Sequence, residues 1–319
     1  MRAPIRLLLL LIALGLGGNA YAAYPDRPIR IVVPFPPGGP DDVVARIVAP
    51  QLGERLGQKI VIDNVDGEDG IVGTALVAKA APDGYTLLIA PSSHAIHPGT
   101  YRSLPYDTEK AFAPISLLVA EPYVLVVNPS LPVDSVEDLI AYAKGHPGKL
   151  HYASAGAGGP SNLAFELFKI TTGTDIIHVP FGGGGPALAA VAADKAQIML
   201  APILAAVPMM HDGRLRALAV SSARRAAAVP ELPTIAATLP GFTAVAWAAA
   251  LAPAGTPRAV IARLNTEFDH IVHEPEIVAR LAAIGGEPVG GPPATLAAVI
   301  REEIPRWIGV AKEAGVRAN

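Results

Sequence analysis

The stretch IRIVVPFPPGGPDD at Ile29–Asp42 decides the fold of this chain. Its first residues, Ile29–Val33, carry mostly β-branched side chains and predict a buried strand. Residues 34–40 are mostly Pro and Gly, so neither a strand nor a helix continues through them. Asp41 or Asp42 is then placed to cap the helix that follows. A strand, a glycine-rich turn and a helix in this order are typical of a parallel sheet covered by helices.

The helix predicted after this turn has one apolar face. Val44, Val48, Leu52 and Leu56 recur every four residues, which gives a stripe that can be buried against a sheet. Pro50 lies in the same stretch. We expect it to kink the helix or to end it early, because proline cannot donate a backbone hydrogen bond.

The same alternation continues through the chain, without an internal repeat or a low-complexity linker. Further strands are predicted at 60–62, 86–90, 123–127, 150–154, 176–179, 198–201 and 217–220. Further helices are predicted at 70–80, 135–144, 161–171, 186–193, 257–273, 276–284 and 295–314, the last with a second expected kink at Pro305. The pattern indicates the α/β class, with 123–127 and 246–251 as candidate crossing strands between two domains.

The N-terminus has the pattern of a secretory signal peptide. Arg2 and Arg6 precede the apolar run 7–16, which is too short to span a bilayer, and the small residues Ala20 and Ala22 on either side of Tyr21 suit cleavage. We predict a cleaved signal at residues 1–22 and a periplasmic location; an uncleaved membrane anchor is the alternative. Removing 22 of the 319 residues leaves 297, which favours two domains.

Composition excludes several classes of function. The net charge is −3 and no Lys/Arg cluster is present, so nucleic-acid binding is not expected. The chain has no cysteine, which excludes disulfides, thiol nucleophiles and thiolate metal sites. The dinucleotide and phosphate-loop glycine motifs, H-E-x-x-H and G-x-S-x-G are also missing from the sequence, so we predict no cofactor, no metal and no catalytic residue.

Two local patterns leave alternatives open. Adjacent Ser93 and His94 suggest the nucleophile and base of a secreted hydrolase, although neighbouring side chains usually point apart. The acidic loop DNVDGEDG at 63–70 suggests calcium, but it lacks the spacing of a calcium loop, and a solvated loop is favoured. His94 and His97 have no acidic or third imidazole partner nearby in sequence, so ordinary core or loop histidines are favoured over metal ligands.

Four loops follow predicted strands and are rich in Gly, Ser, Ala or Pro: Phe35–Asp42, Ala90–His94, Ser154–Asn162 and Pro180–Pro186. Three lead straight into helices, whose first N–H groups carry partial positive charge and bind anions without Lys or Arg. Loops at the carboxyl ends of strands converge on ligand sites in open α/β sheets. We therefore predict a ligand site lined by Phe35, Gly38, Gly39, Asp41, Ser92, Ser93, Ser154, Gly156, Asn162 and Gly183.

The sequence also resembles a known family, the Bug-type periplasmic solute-binding receptors of tripartite tricarboxylate transporters. The matching segments are YPxRPIRIVVPFPPGG at 24–39, DxxAR at 42–46, AAPDGYTLL at 80–88, HVPF at 178–181, LRALAV at 215–220, PT at 233–234, PGF at 240–242, Trp247 and APAGTP at 252–257. They run along nearly the whole mature chain. Each is weak alone, and together they are specific.

The resemblance implies two doubly wound α/β domains joined by two crossing segments, in a periplasmic-binding-protein (type II-like) architecture with a central cleft. We expect one domain at 23–122 plus 250–319 and the other at 123–249. It also implies one small ligand, such as a dicarboxylate, an acidic amino acid or an aromatic acid, and delivery to integral membrane transporter subunits. We expect a monomer.

The sequence departs from the family near the predicted pocket. Family members commonly have a small or hydroxyl residue at Asp41, Gly-Ala-Gly-Gly at 67–70, and His at Asn162. Asp41, Glu68 and Asp69 add negative charge there. A ligand bearing an amine would pair with them; side chains that face solvent or cap a helix are the favoured reading.

The sequence thus predicts a receptor that captures a small carboxylated metabolite for a transporter. A sensory subunit that presents the same closed form to a signalling receptor remains an alternative, because both need the same fold. The secreted hydrolase is a third.

Overall fold

The computed structural model describes residues 24–318. The predicted signal peptide at 1–22 lies outside this range. Within the described range, every helix is too short or too polar to cross a membrane.

Strands and helices alternate over most of the chain. The strands are β1 (Ile29–Val33), β2 (Ile60–Asn64), β3 (Thr86–Pro91), β4 (Phe112–Val127), β5 (Leu150–Ser154), β6 (Ile176–Pro180), β7 (Ile198–Pro202), β8 (Arg216–Val220), β9 (Val245–Pro253) and β10 (Glu287–Gly290). The helices are α1 (Pro40–Leu56), α2 (Ile71–Ala78), α3 (Ser93–Thr100), α4 (Val136–Gly145), α5 (Pro160–Thr172), α6 (Gly184–Ala192), α7 (Ile203–His211), α8 (Arg258–Val272), α9 (Pro275–Ala282) and α10 (Pro293–Ala314).

The long strand β4 joins two sheets. Its first part pairs with β9 and β10 in a sheet of order β2-β1-β3-β9-β4, and its second part pairs with β7 and β8 in a sheet of order β4-β7-β5-β6. The pairs β1–β2, β1–β3, β5–β6 and β5–β7 are parallel, as predicted. Both β4 and β9 run antiparallel to their neighbours, so the sheets are mixed rather than wholly parallel.

Both sheets are covered on two faces, which makes the fold doubly wound. In β1, Ile31 belongs to one apolar core and Val32 to another. In β4, the neighbouring residues Val124 and Leu125 likewise belong to two different apolar cores. Because successive side chains of a strand point to opposite faces, this division requires helices on both sides of each sheet.

The two α/β units predicted from the sequence are present, with β4 crossing between them. The partners of β4 change from β9 at Pro122 to β7 at Tyr123, where the register pairs Tyr123 with Pro202. We propose this point as the domain boundary expected at 122/123.

Prolines terminate fewer helices than the sequence suggests. Helix α1 continues through Pro50 to Leu56, so the expected early end is wrong. Pro50 is exposed, whereas Val48 and Leu52 on either side of it are buried. Burial of this apolar stripe outweighs one missing hydrogen bond. Helix α10 likewise continues through Pro305.

Candidate functional site

The loop between β1 and α1 is held by Asp42. Gly38 N donates to Asp42 Oδ2 at 2.9 Å, and Arg46 Nε donates to the same oxygen at 2.7 Å. Asn64 Nδ2 donates to Asp42 Oδ1 at 3.0 Å and to the carbonyl of Phe35 at 2.9 Å. The hydrogen bond from Arg46, followed by those from Gly38 and Asn64, lowers the pKa of Asp42 to about 2. Asp42 is therefore ionised, and both of its carboxylate oxygens accept hydrogen bonds that hold the loop.

A second loop, between β5 and α5, repeats this arrangement. GGPDD at 38–42 and GGPSN at 158–162 share the pattern Gly-Gly-Pro-x-Asx. The first glycine has φ +86° at Gly38 and +78° at Gly158, a left-handed conformation that favours glycine. Gly158 N donates to Asn162 Oδ1 at 2.8 Å, as Gly38 donates to Asp42. The two units thus carry matching turns, a local repeat that the sequence analysis missed.

These loops open onto a cavity of about 900 Å³ with contributions from both units. Five helices begin at its wall: α1 at Pro40, α3 at Ser93, α5 at Pro160, α6 after Gly183 and α7 at Ile203. A volume of this size accommodates a small metabolite. The helix starts surround it with main-chain N–H groups and the positive ends of helix dipoles.

Six of the ten residues predicted to bind ligand line this cavity: Phe35, Gly39, Asp41, Ser92, Ser93 and Gly183. The other four, Gly38, Ser154, Gly156 and Asn162, are not among its lining residues. Asn162 is fully buried, and its Nδ2 donates to the Tyr152 hydroxyl at 2.6 Å. Ser154 Oγ lies 2.6 Å from His178 Nε2 and donates to the Gly156 carbonyl at 2.9 Å. The side chains of Ser154 and Asn162 therefore hold the loop between β5 and α5.

Asp69, an acidic departure noted in the sequence, also lines the cavity. Further lining residues were not proposed as ligand-binding from the sequence: Glu121, Tyr123, Ile203, Leu204, Trp247, Ile284 and Gly285. Glu121 and Tyr123 lie where β4 crosses between the units. Trp247 lies near the start of β9, and its Nε1 donates to Glu303 Oε2 at 2.8 Å. The one sequence signal at Glu121 is a carboxylate that interrupts the apolar run LLVAEPYVLVV at 117–127.

Two carboxyl groups in the cavity have raised pKa values. Burial, followed by the charge of Glu121, raises the pKa of Asp41 from 3.8 to about 8. Burial raises the pKa of Glu121 from 4.5 to about 7. Asp69 also lines the cavity, whereas Glu68 does not. The acidic departures at Asp41 and Asp69 therefore face the pocket.

Hydroxyl groups complete the polar lining. Ser93 is 4 % exposed, and its Oγ has no hydrogen-bond partner among the described residues. Tyr123 is 6 % exposed, and burial followed by the charge of Glu121 raises its pKa, so its hydroxyl stays protonated. Both side chains are available to hydrogen-bond a ligand.

The geometry does not join Ser93 and His94 into a catalytic pair. His94 Nε2 lies 3.1 Å from the Thr108 carbonyl, and burial lowers the pKa of His94 to about 4. No cluster of metal-ligating side chains is found within residues 24–318, and in the acidic loop Asp63 pairs with Arg30.

Comparison with known proteins gives the family. The family model described as "Tripartite tricarboxylate transporter family receptor" matches residues 44–316. Protein BugT of Bordetella pertussis is 38 % identical, over 92 % of this chain and 91 % of its own length.

Two solved structures carry named ligands. Rpa4515 of R. palustris with adipate is 38 % identical, covers 92 % of this chain and 99 % of its own, and superposes with a TM-score of 0.78. MatC of Rhodopseudomonas palustris with bound malate is 34 % identical, covers 90 % and 99 %, and has a TM-score of 0.74. The chain therefore belongs to the tripartite tricarboxylate transporter receptor family, whose members are solute-binding proteins and not enzymes.

Proposed function

We propose that this protein captures a small carboxylate-bearing metabolite in its cavity, in the periplasm, and delivers it to the membrane subunits of a tripartite transporter. The observation that carries the proposal is the cavity itself, where five helices begin and both α/β units contribute lining. Helix starts and glycine turns bind a carboxylate through main-chain N–H groups. The adipate and malate bound by the two relatives support this ligand class.

Helix α6 is the best placed of these carboxylate-binding ends. Its N-cap residue Gly183 lines the cavity together with Gly182, and no side chain caps the helix. An added Cβ would meet nothing within 4 Å at Gly182 or Gly184, so the backbone there is open to a ligand. A carboxylate oxygen at this end would accept hydrogen bonds from the first N–H groups of α6.

Closure of the two units around the ligand would create the surface that the membrane subunits of the transporter recognise. The two sheets share only β4 as a continuous strand, so a hinge near Glu121–Tyr123 and the start of β9 would let them rotate. We expect small-angle scattering to show a smaller radius of gyration with ligand than without.

A binding panel and a gene deletion test the proposal. Isothermal titration calorimetry on the mature chain, with dicarboxylates, amino acids and aromatic acids, is expected to give micromolar or tighter binding for at least one compound. Deletion of the gene is expected to abolish uptake of that compound. Failure of every carboxylate to bind would refute the ligand class. Lost gene induction with intact uptake would instead indicate the sensory role.

A further inference from the structure

The cavity contains an acid pair, which we define as the carboxyl groups of Asp41 and Glu121. Asp41 is the second residue of α1, and Glu121 lies on β4, 80 residues later in the chain. Both line the cavity, and the charge of Glu121 acts on Asp41. The fold thus places two carboxyl groups in one cavity, and the charge of Glu121 opposes the ionisation of Asp41.

Within residues 24–318, no cationic side chain lines the cavity beside this acid pair. The cavity lining within the described chain contains Asp41, Asp69 and Glu121 and no Lys, Arg or His. Asp69 Oδ2 lies 3.3 Å from His97 Nε2 and is the one acid of the three with such a neighbour. Glu303 and Arg306 do not line the cavity: Glu303 accepts a hydrogen bond from Trp247 Nε1, and Arg306 lies over the ring of Trp307 and donates to the Thr243 carbonyl.

The surroundings of the acid pair suit an organic cation. Phe35, Tyr123 and Trp247 line the same cavity, and their rings attract a positive charge through their faces. Ser93 offers a buried Oγ without a partner among the described residues, which can accept a hydrogen bond from an ammonium group. This hydroxyl points to a ligand independently of the carboxyl groups.

We propose that the acid pair is the binding subsite for an ammonium group, so that the ligand carries a cationic nitrogen in addition to its carboxylate. The inference rests on the proposed function. The ligand's carboxylate lies at the glycine-bearing start of α6 and its ammonium group at the acid pair. A dicarboxylate places a second negative charge against three carboxyl groups and binds weakly.

Binding of an ammonium group is linked to release of a proton. At neutral pH the unliganded acid pair retains part of a proton, because the pKa values of Asp41 and Glu121 are about 8 and 7. The arriving cation favours the ionised pair, and the displaced proton passes to the buffer. Affinity for an ammonium ligand therefore rises with pH between about 6 and 8, by up to about tenfold per pH unit for one proton released. A dicarboxylate would show the reverse trend.

Matched ligands of equal chain length test the proposal. The probes are adipate, 6-aminohexanoate and 1,6-diaminohexane, titrated into the mature chain by calorimetry at pH 6 and pH 8, each in two buffers that differ in ionisation enthalpy (MES and Bis-Tris at pH 6, HEPES and Tris at pH 8) to count released protons. We expect 6-aminohexanoate to bind at least tenfold more tightly than adipate at pH 8, with proton release. Asp41→Asn and Glu121→Gln should each reduce this preference at least tenfold. Glu109→Gln, which removes an exposed carboxylate elsewhere, should leave it unchanged.

The outcomes separate this inference from the proposed function. If adipate binds more tightly than 6-aminohexanoate to the wild type, the ammonium subsite is overturned and the carboxylate receptor stands. If 1,6-diaminohexane binds best, the ammonium subsite stands and the carboxylate class is overturned. If none of the three binds, both are overturned for ligands of this length.

Discussion

Replacement of Asp41 by asparagine should stabilise the unliganded protein at high pH. The carboxyl group of Asp41 has its pKa raised from 3.8 to about 8, so the folded state binds more protons than the unfolded state between these values. Stability is then fully present below about pH 4 and is lost as the pH rises towards 8. Asparagine carries no charge and removes this loss.

The magnitude follows from the pKa shift. A shift of about four units corresponds to roughly 5 kcal/mol at pH 8, at about 1.4 kcal/mol per unit. Asp41 is only half-buried beside a water-accessible cavity, so we reduce this to about 2–3 kcal/mol. The variant also loses the attraction of Asp41 to the start of α1, about 0.5 kcal/mol. We expect a net gain of about 2 kcal/mol at pH 8 and almost none at pH 4.5.

Asp42 provides the matched control, because the same substitution at the next residue has the opposite sign. Asp42→Asn removes the charge that accepts hydrogen bonds from Arg46 and Gly38, and should lower stability by about 1–2 kcal/mol at both pH values. Urea unfolding followed by circular dichroism measures both variants. A loss of stability for Asp41→Asn at pH 8 would show that this carboxylate has a stabilising partner, and would refute the reasoning.

Three further predictions concern packing and the site. Asn162→Ala should lower the free energy of unfolding by about 1–3 kcal/mol in urea, because its two buried hydrogen bonds hold the second loop; an unchanged midpoint would contradict that role. In helix α2, Gly73→Ala should destabilise the protein despite better helix propensity, since the new Cβ would lie 2.5 Å from the Val65 carbonyl oxygen. Gly309→Ala in the exposed part of α10 has no such contact and should stabilise the protein by up to about 1 kcal/mol. Equal shifts of the melting temperature for the two variants would contradict the close approach at Gly73. Ligand binding should change the tryptophan emission of the wild type, and Trp247→Phe should abolish that change; persistence of the signal would place the ligand elsewhere.

The sequence predicted most strands because most of their residues are apolar, with many β-branched side chains. β1 and β5 were predicted with their exact ends, although each contains one partly exposed polar residue, Arg30 and His151. The first half of β4 was missed because Pro114, Glu121 and Pro122 interrupt its apolar pattern. A register shift follows Pro114 and accommodates the interruption. Helix α3 was missed for a similar reason, since Pro98 and Gly99 lie inside it.

Only those residues of the candidate site that directly follow a strand in sequence could be predicted. Glycine turns and helix starts follow strands directly in sequence, so Gly39, Ser93 and Gly183 could be placed from pattern alone. Glu121 and Trp247 reach the cavity through the pairing of β4 with β9, where Glu121 lies opposite Ala246. Their positions depend on strand register, which a single sequence does not specify. The favoured prediction that Asp41, Glu68 and Asp69 face solvent or cap a helix likewise could not be checked from the sequence alone; Asp41 and Asp69 line the cavity, and Glu68 does not.

The repeated turns support the proposal that Asp41 serves ligand binding rather than the fold. The fifth residue of the pattern holds the turn in both units. Asp42 accepts a hydrogen bond from Arg46, and Asn162 donates to the Tyr152 hydroxyl, which in turn donates to Glu166. The fourth residue differs. Ser161 Oγ accepts a hydrogen bond from Ala155 N at 3.3 Å and so supports its own loop. Asp41, at the matching position, instead lines the cavity, where burial and Glu121 oppose its charge. Because the turn is held without the Asp41 carboxylate, its position in the cavity supports the proposed role in ligand recognition.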